Sequence, residues 1–269
     1  MGAVVGVAVD NTLIGTDKND VIFGKAGKDT LSGRAGNDAI FGQAGDDKIG
    51  GDEGDDLLSG GNGNDRINDG YGSNVIFGGD GNDTLSGGYE SGNGTDFIFG
   101  GNGNDYIGGG YDDDYLYGEN GNDELYGFFG NDTIDGGAGN DKIEGAFYHT
   151  AADEIDLLTG GSGADTFVLG GGSFGEVLPL YRGDNRNYAL ITDFNKNQDA
   201  IALNKMEGDL RHNLAVEVQY SLGAAPVGFP IGTGIYVNTA GQSPDLIAIL
   251  QNVDPNSLSL KASYFKFEG

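Results

Sequence analysis

The sequence predicts an all-β fold, a stack of about eight short coils followed by a β-rich C-terminal cap. Three observations predict it. Between Gly15 and Val168 one nine-residue phrase, Gly-Gly-x-Gly-x-Asp-x-apolar-x, recurs sixteen times, most cleanly at 136–144 (GGAGNDKIE) and 78–86 (GGDGNDTLS). Of the fifteen steps between successive sixth positions, thirteen are nine residues long, a register that no Gly-rich linker would keep. The eighth position is apolar in every copy, from Ile22, Leu31 and Ile40 through to Leu158 and Phe167.

The elements follow in order. Residues 1–14 carry Val4, Val5, Val7 and Val9 and read as an N-terminal β cap over the first coil. In the repeat, 15–169, a strand of about three residues has room for one inward side chain, because successive side chains alternate faces. The eighth-position residue is that side chain. The residues before it must reverse the chain, and paired glycines permit the positive φ that tight reversals need. Two half-turns make one eighteen-residue coil with two parallel strands, and stability comes only from stacking coil on coil. From about Gly170 the period stops. Residues 188–194, 214–220, 234–237 and 245–250 read as strands punctuated by Pro226, Pro230, Pro244 and Pro255, so 170–269 is expected to be a β-rich C-terminal cap.

The sixth-position residues end each turn and fall into two files at eighteen-residue spacing. One is Asp29, Asp47, Asp65, Asp83, Asp105, Asp123, Asp141 and Asp165; the other is Asp20, Asp38, Asp56, Asn74, Asp96, Asp114, Asp132 and Asp156. Columns of carboxylates at strand spacing, about 4.8 Å, repel strongly unless a cation sits between their members. A hard cation that takes six or more oxygens from carboxylates and turn carbonyls is calcium. Zinc is disfavoured by the lack of cysteine and the presence of only two histidines.

The nonapeptide resembles that of the calcium-binding RTX (repeats-in-toxin) family. The resemblance implies a right-handed parallel β-roll in which calcium bridges consecutive coils at both edges, using the fifteen aspartates of the two files and turn carbonyls. Two files of eight imply roughly ten to twelve calcium ions. The segment ITDFNKNQDAIAL (191–203) is similar to the element that follows the roll in secreted RTX proteases, and the ending resembles that of many cyanobacterial RTX proteins. Asp193 and Asp199 are further candidate ligands, with a plain turn between strands the competing reading. The departures from the motif are Asn74, Asp112 at a fourth position, and the Gly-poor turns 15–20 and 151–156, so the sites at Asn74 and at both ends lack the full motif.

The formal charge of −28 is concentrated in the repeat: residues 1–169 hold 32 acids and 7 bases (−25), residues 170–269 hold 10 and 7 (−3). Without calcium such a chain is expected to be largely unfolded, since self-repulsion and glycine entropy oppose collapse; metal binding is then folding free energy. High extracellular calcium makes this coupling a location signal, and the resemblance implies export by a type I system that reads an uncleaved C-terminal signal. The first residues have no basic n-region or long apolar core, so they are not read as a signal peptide. No membrane span is expected, and so acidic a chain suits neither nucleic acid nor anionic membranes as a partner.

Outward positions sort by half-turn. The strands after the second file present Phe23, Phe41, Phe77, Phe97, Phe99, Tyr115 and Tyr117, whereas the others present mainly Thr, Ser, Lys, Arg and Asn. A strip of that length is rarely left exposed. Docking of the C-terminal cap, a homodimer, or a glycan or protein partner would account for it. No enzyme is expected: there is no H-E-x-x-H, His149 and His212 are isolated, and the G-x-S-x-G match at 171–175 lies in a Gly-rich stretch. Ice binding is disfavoured because the third positions Asp17 to Asp80 contain no threonine. The reading is a secreted calcium-binding module with a structural, adhesion or cell-surface role, the alternative being the C-terminal secretion and folding module of a larger exoenzyme or toxin.

Overall fold

The computed structural model describes residues 2–88, 94–146, 154–171, 178–179, 188–204, 206–209, 214–217, 219–238 and 244–268. It is all-β, a parallel roll of about eight repeat coils whose strands alternate between two long sheets. The thirteen-stranded sheet runs Gly2–Val5, Asp20–Ala26, Ala39–Ala44, Leu57–Asn62, Val75–Asp80, Phe97–Asn102, Tyr115–Asn120, Thr133–Ala138 and Ile155–Ser162 before it leaves the repeat. The eleven-stranded sheet takes the intervening strands, from Thr12–Ile14 to Thr166–Val168 and on to Phe265–Glu268. Every pairing within the repeat is parallel, and most coils lie eighteen residues apart, as in Ile22 opposite Ile40 and Leu31 opposite Ile49.

Between the sheets runs a single column of side chains. Ile40, Leu58, Ile76, Ile98, Leu116 and Ile134 from one sheet face Leu85, Ile107, Leu125 and Ile143 from the other, all fully buried. Each coil contributes two such residues, too few for a core, so burial exists only because the coils stack. The turns impose close backbone approaches: a Cβ at Gly36 would come within 2.6 Å of the Lys18 carbonyl carbon in the coil below, at a φ of +114°. Asp112, the non-glycine at a fourth position, adopts the same left-handed region with φ 74°.

The parallel ladders run through both ends of the repeat. Gly2–Val5 and Thr12–Ile14 add one coil before it, with Val4 opposite Ile22 and Leu13 opposite Leu31. After it, Tyr188–Ile191 and Ala200–Asn204 continue the two sheets, with Leu158 opposite Ile191 and Phe167 opposite Ile201, despite register steps of 33 and 34 residues. Asp245–Gln251 and Phe265–Glu268 add a further parallel layer. The longer sheet then ends in antiparallel strands Gly232–Asn238 and Gln219–Ala224. The described C-terminal strands therefore lie at the end of the stack and not across the aromatic face, where Phe77 stays 41% exposed. The described C-terminal strands spend their edges on extending the sheets. Among the described residues no helix is long and apolar enough to cross a membrane.

Candidate metal sites along the coil edges

Each sixth-position residue sits where the turn ends and the strand begins, so its backbone and side chain point along the stack. In both files the backbone N–H of one member donates to Oδ1 of the member one coil on. The distances are 2.7 Å for Asp47 to Asp65 and for Asp38 to Asp56, and 2.8 Å for Asp105 to Asp123. The two insertions do not break the chain of bonds: Asn74 donates to Asp96, Asp83 to Asp105, Asp132 to Asp156 and Asp141 to Asp165. Fifth-position residues form a second ladder in the opposite sense, as where Asn82 N–H donates to Asn64 Oδ1 and Asn104 N–H to Asn82 Oδ1, both at 2.7 Å.

The other carboxylate oxygen is the informative one. Oδ2 is buried and has no hydrogen-bond partner among the described residues in Asp29, Asp38, Asp47, Asp56, Asp65, Asp83, Asp96, Asp105, Asp114, Asp123, Asp132 and Asp141. Buried charge without a partner is costly, so these oxygens require a counterion or a proton. The space in front of them is kept open by glycine. A Cβ at Gly100 would lie 2.5 Å from Asp105 Oδ2 and 2.8 Å from the Gly118 carbonyl oxygen; one at Gly109 would lie 2.7 Å from Asp114 Oδ2 and 2.9 Å from the Gly127 carbonyl oxygen. Each cradle is thus bordered by a carboxylate oxygen and a carbonyl oxygen of the next coil, the donor set of a hard oxygen-seeking cation. No three acidic or histidine side chains converge on one point among the described residues; the further donors are backbone carbonyls.

Burial raises carboxyl groups in the middle of both files. In the first, Asp65 and Asp105 are pushed up to about 6 and Asp83 and Asp123 to about 7. In the second, Asp56 goes to about 6, Asp114 to about 8 and Asp96 to about 9, with the charge of Asp69 adding to burial at Asp96. Asp132 is driven well up by burial and by neighbouring Asp156. These shifts measure how strongly the folded chain resists bare negative charge there.

The ends differ. Asp20 accepts from Gly2 N–H at 2.8 Å through Oδ1, and from Thr16 N–H at 2.6 Å and Oγ1 at 2.7 Å through Oδ2, which holds its carboxyl below the usual range. At the other end Asp199 continues the first file, accepting from Asp165 N–H at 3.3 Å and from Asn195 N–H at 2.7 Å. Asp193 spends its oxygens on Gly160 N–H (3.0 Å) and Gly161 N–H (2.8 Å) and ties the turn together. A fully buried carboxyl that the motif does not contain, Asp69, also faces this edge. His149, His212 and residues 172–175 of the G-x-S-x-G match lie outside the described residues.

On the outer face of the longer sheet the aromatics stack as rows along the coil axis. Phe23 lies on Phe41 (5.2 Å between ring centres), Phe77 on Phe99 (5.0 Å), Phe99 on Tyr117 (4.9 Å) and Phe97 on Tyr115 (4.7 Å). Ser59 interrupts the row between Phe41 and Phe77.

A family model described as the RTX calcium-binding nonapeptide repeat (4 copies) matches residues 5–40, 23–58, 59–88, 90–125, 108–143 and 151–173. No curated protein matches the chain. Among solved structures, the R3 subunit of a mannuronan C5-epimerase from Azotobacter vinelandii is similar at 22% identity over 63% of this chain and 82% of that one, with a TM-score of 0.21. An extracellular lipase from Serratia marcescens is similar at 16% identity over 96% of this chain and 40% of that one, with a TM-score of 0.22.

Proposed function

Because the chain belongs to the RTX calcium-binding nonapeptide-repeat family, and is a calcium-binding β-roll, we propose that calcium completes its fold outside the cell, where it serves as a structural, adhesion or cell-surface module. The observation that carries this reading is the pair of files of buried Oδ2 atoms without hydrogen-bond partners. A calcium ion between consecutive coils supplies positive charge and a cross-link, and it takes up the oxygen that each carboxylate leaves unused. The proposed ligands are the twelve aspartates from Asp29 to Asp141 named above. Asp156 and Asp165 close the two files, and Asp20 is already satisfied by Thr16.

Roughly ten to twelve ions fit the charge as well as the coil count. Twelve would bring +24 against the −25 of residues 1–169. Removing them leaves that charge crowded on two edges, which opposes collapse. Folding is then deferred until calcium is plentiful, which suits export of an unfolded chain by a type I system followed by folding outside. No reaction is assigned to the module. Its exposed aromatic rows are the surface through which it would contact a second copy or a glycan or protein partner.

A calcium titration of chelated protein, followed by far-UV circular dichroism and light scattering, tests the reading. A cooperative gain of β signal at millimolar calcium or below is expected. A full β spectrum in excess chelator would overturn the coupling, and an unchanged mass in calcium would remove self-association as the role of the aromatic face.

A further inference from the structure

The repeat breaks at one coil, and the break is compensated within the same nine residues. Asn74 is the one sixth-position residue of the sixteen that is not aspartate. Counting back five residues gives the first position of each repeat, which is glycine in most copies and Ser91 or Ala151 at the insertions. In the Asn74 copy it is Asp69, the one carboxylate at a first position in the chain. A carboxylate has moved from the sixth position to the first in the single repeat that lost it.

Asn74 retains the part of the aspartate's work that clasps coils together. Its Oδ1 accepts from Asp56 N–H at 2.7 Å, and its own N–H donates to Asp96 Oδ1 at 2.7 Å. The atom that stands for Oδ2, however, is the amide nitrogen, which donates to the Gly72 carbonyl at 3.2 Å. An amide nitrogen carries protons and cannot ligate a cation. Asp69 is fully buried; neither of its oxygens makes a hydrogen bond of good geometry among the described residues, although the Asn74 amide and the Asp96 carboxyl lie beside them.

The fold decides where Asp69 points. First-position Cβ atoms project into the cradle, as the space beside Gly109 shows: its boundary is Asp114 Oδ2 at 2.7 Å and the Gly127 carbonyl oxygen at 2.9 Å. Asp69 fills the corresponding direction with a carboxylate, and its charge bears on Asp96 and Asp114 of the next two coils. Asp96 is itself fully buried with Oδ2 unpartnered. Two buried carboxylates that face one another need a cation or a shared proton, and the Asn74 amide and Gly70 N–H beside Asp69 offset only part of their charge.

We propose that Asp69 supplies the carboxylate that Asn74 lacks, so that a calcium ion is held between Asp69 and Asp96 and the second file of ions runs unbroken through the irregular coil. The proposal rests on calcium occupying the cradles of this roll. Its ligand set differs from that of the other coils, since one carboxylate reaches the ion from the opening of the turn and not from its end.

Native mass spectrometry of the full chain in calcium counts ions directly, and circular dichroism against calcium concentration reports the folding midpoint. D69N, which keeps size and removes charge, and D69G, which restores the glycine beside an unchanged Asn74, should each bind one ion fewer than the parent and need more calcium to fold. The double variant D69G/N74D restores the regular motif and should return to the parent count and midpoint. Two outcomes overturn the proposal: single variants that bind as many ions as the parent, or a double variant that binds one ion more, which would mean that Asp69 and Asn74 satisfy one another without metal. A parent chain that binds no calcium would instead overturn the calcium reading of the whole roll.

Discussion

The two edges of the roll carry the same chemistry with different regularity. Along the first file, from Asp29 to Asp165 and on to Asp199, each repeat keeps its aspartate, and the fifth-position ladder Asp46, Asn64, Asn82, Asn104, Asn122 and Asn140 runs beside it. The second file takes in Asn74, the added Asp69, both insertions and most of the turn aromatics. Two of its carboxyls are also the more perturbed: Asp105 and Asp123 stand at about 6 and about 7, against about 8 for Asp114 and about 9 for Asp96, while Asp56 of the second file stays at about 6. At Asp96 and Asp114 the charge of Asp69 adds to burial. The edge that departs furthest from the motif is the one with the greatest need of a cation.

Core substitutions test whether this contrast belongs to the edges alone. Leu116→Ala follows the second file and Leu125→Ala the first; both side chains are fully buried, and each should cost about 3 to 5 kcal/mol in calcium. A clear inequality in chemical denaturation would place the difference in the core. Next come the carboxylates themselves. Asp114→Asn and Asp105→Asn should each lower stability in calcium by about 3 kcal/mol, since a buried cation loses a charged ligand. In chelator the sign reverses, because each removes a buried charge, and Asp114→Asn should gain more than Asp105→Asn. Equal gains would dissolve the contrast.

The pH dependence of the calcium-free chain tests the same carboxyls more gently. These carboxyls are raised above their unfolded values near 3.8, so the folded state binds more protons than the unfolded one. Stability from protonation is therefore complete below about pH 4 and is lost as pH rises through the folded values. Circular dichroism in chelator should show β structure at acid pH fading as pH rises through about 6, the value of Asp56 in the second file and of Asp105 in the first, since every coil carries both files. A signal that grew with pH would contradict the assignment. The smallest effect concerns the aromatic rows on the sheet that follows the second file. Phe77→Ala removes a ring stacked 5.0 Å from Phe99 and should cost about 1 kcal/mol by thermal denaturation. If the face makes contacts, the same change should lower the mass seen by light scattering in calcium.

Much of this was legible in the residues. The eighth-position column from Ile22 to Phe167 is buried as its apolar character implies, and eighteen-residue spacing puts Asp105 beside Asp123 as the coil arithmetic requires. Three things escaped. Asp69 lies outside the sixth positions that define the files, and the exchange shows only when first and sixth positions of one repeat are set side by side. The satisfaction of Asp20 by Thr16 depends on the path of a Gly-poor turn, which no spacing encodes. The continuation of both sheets beyond residue 169 was masked because the step from Asp165 to Asp199 is 34 residues and carries no glycine motif.

By itself the sequence determined the repeat unit, the inward column and the identity of the cation, since all three follow from residue type at fixed spacing within one coil. Only the tertiary structure decided which oxygens are left without a partner, where a first-position side chain points, and what remains exposed on the aromatic face. Those are relations between coils. A carboxylate's need for calcium depends on whether another coil has already supplied a hydrogen-bond donor, and stacking alone answers that.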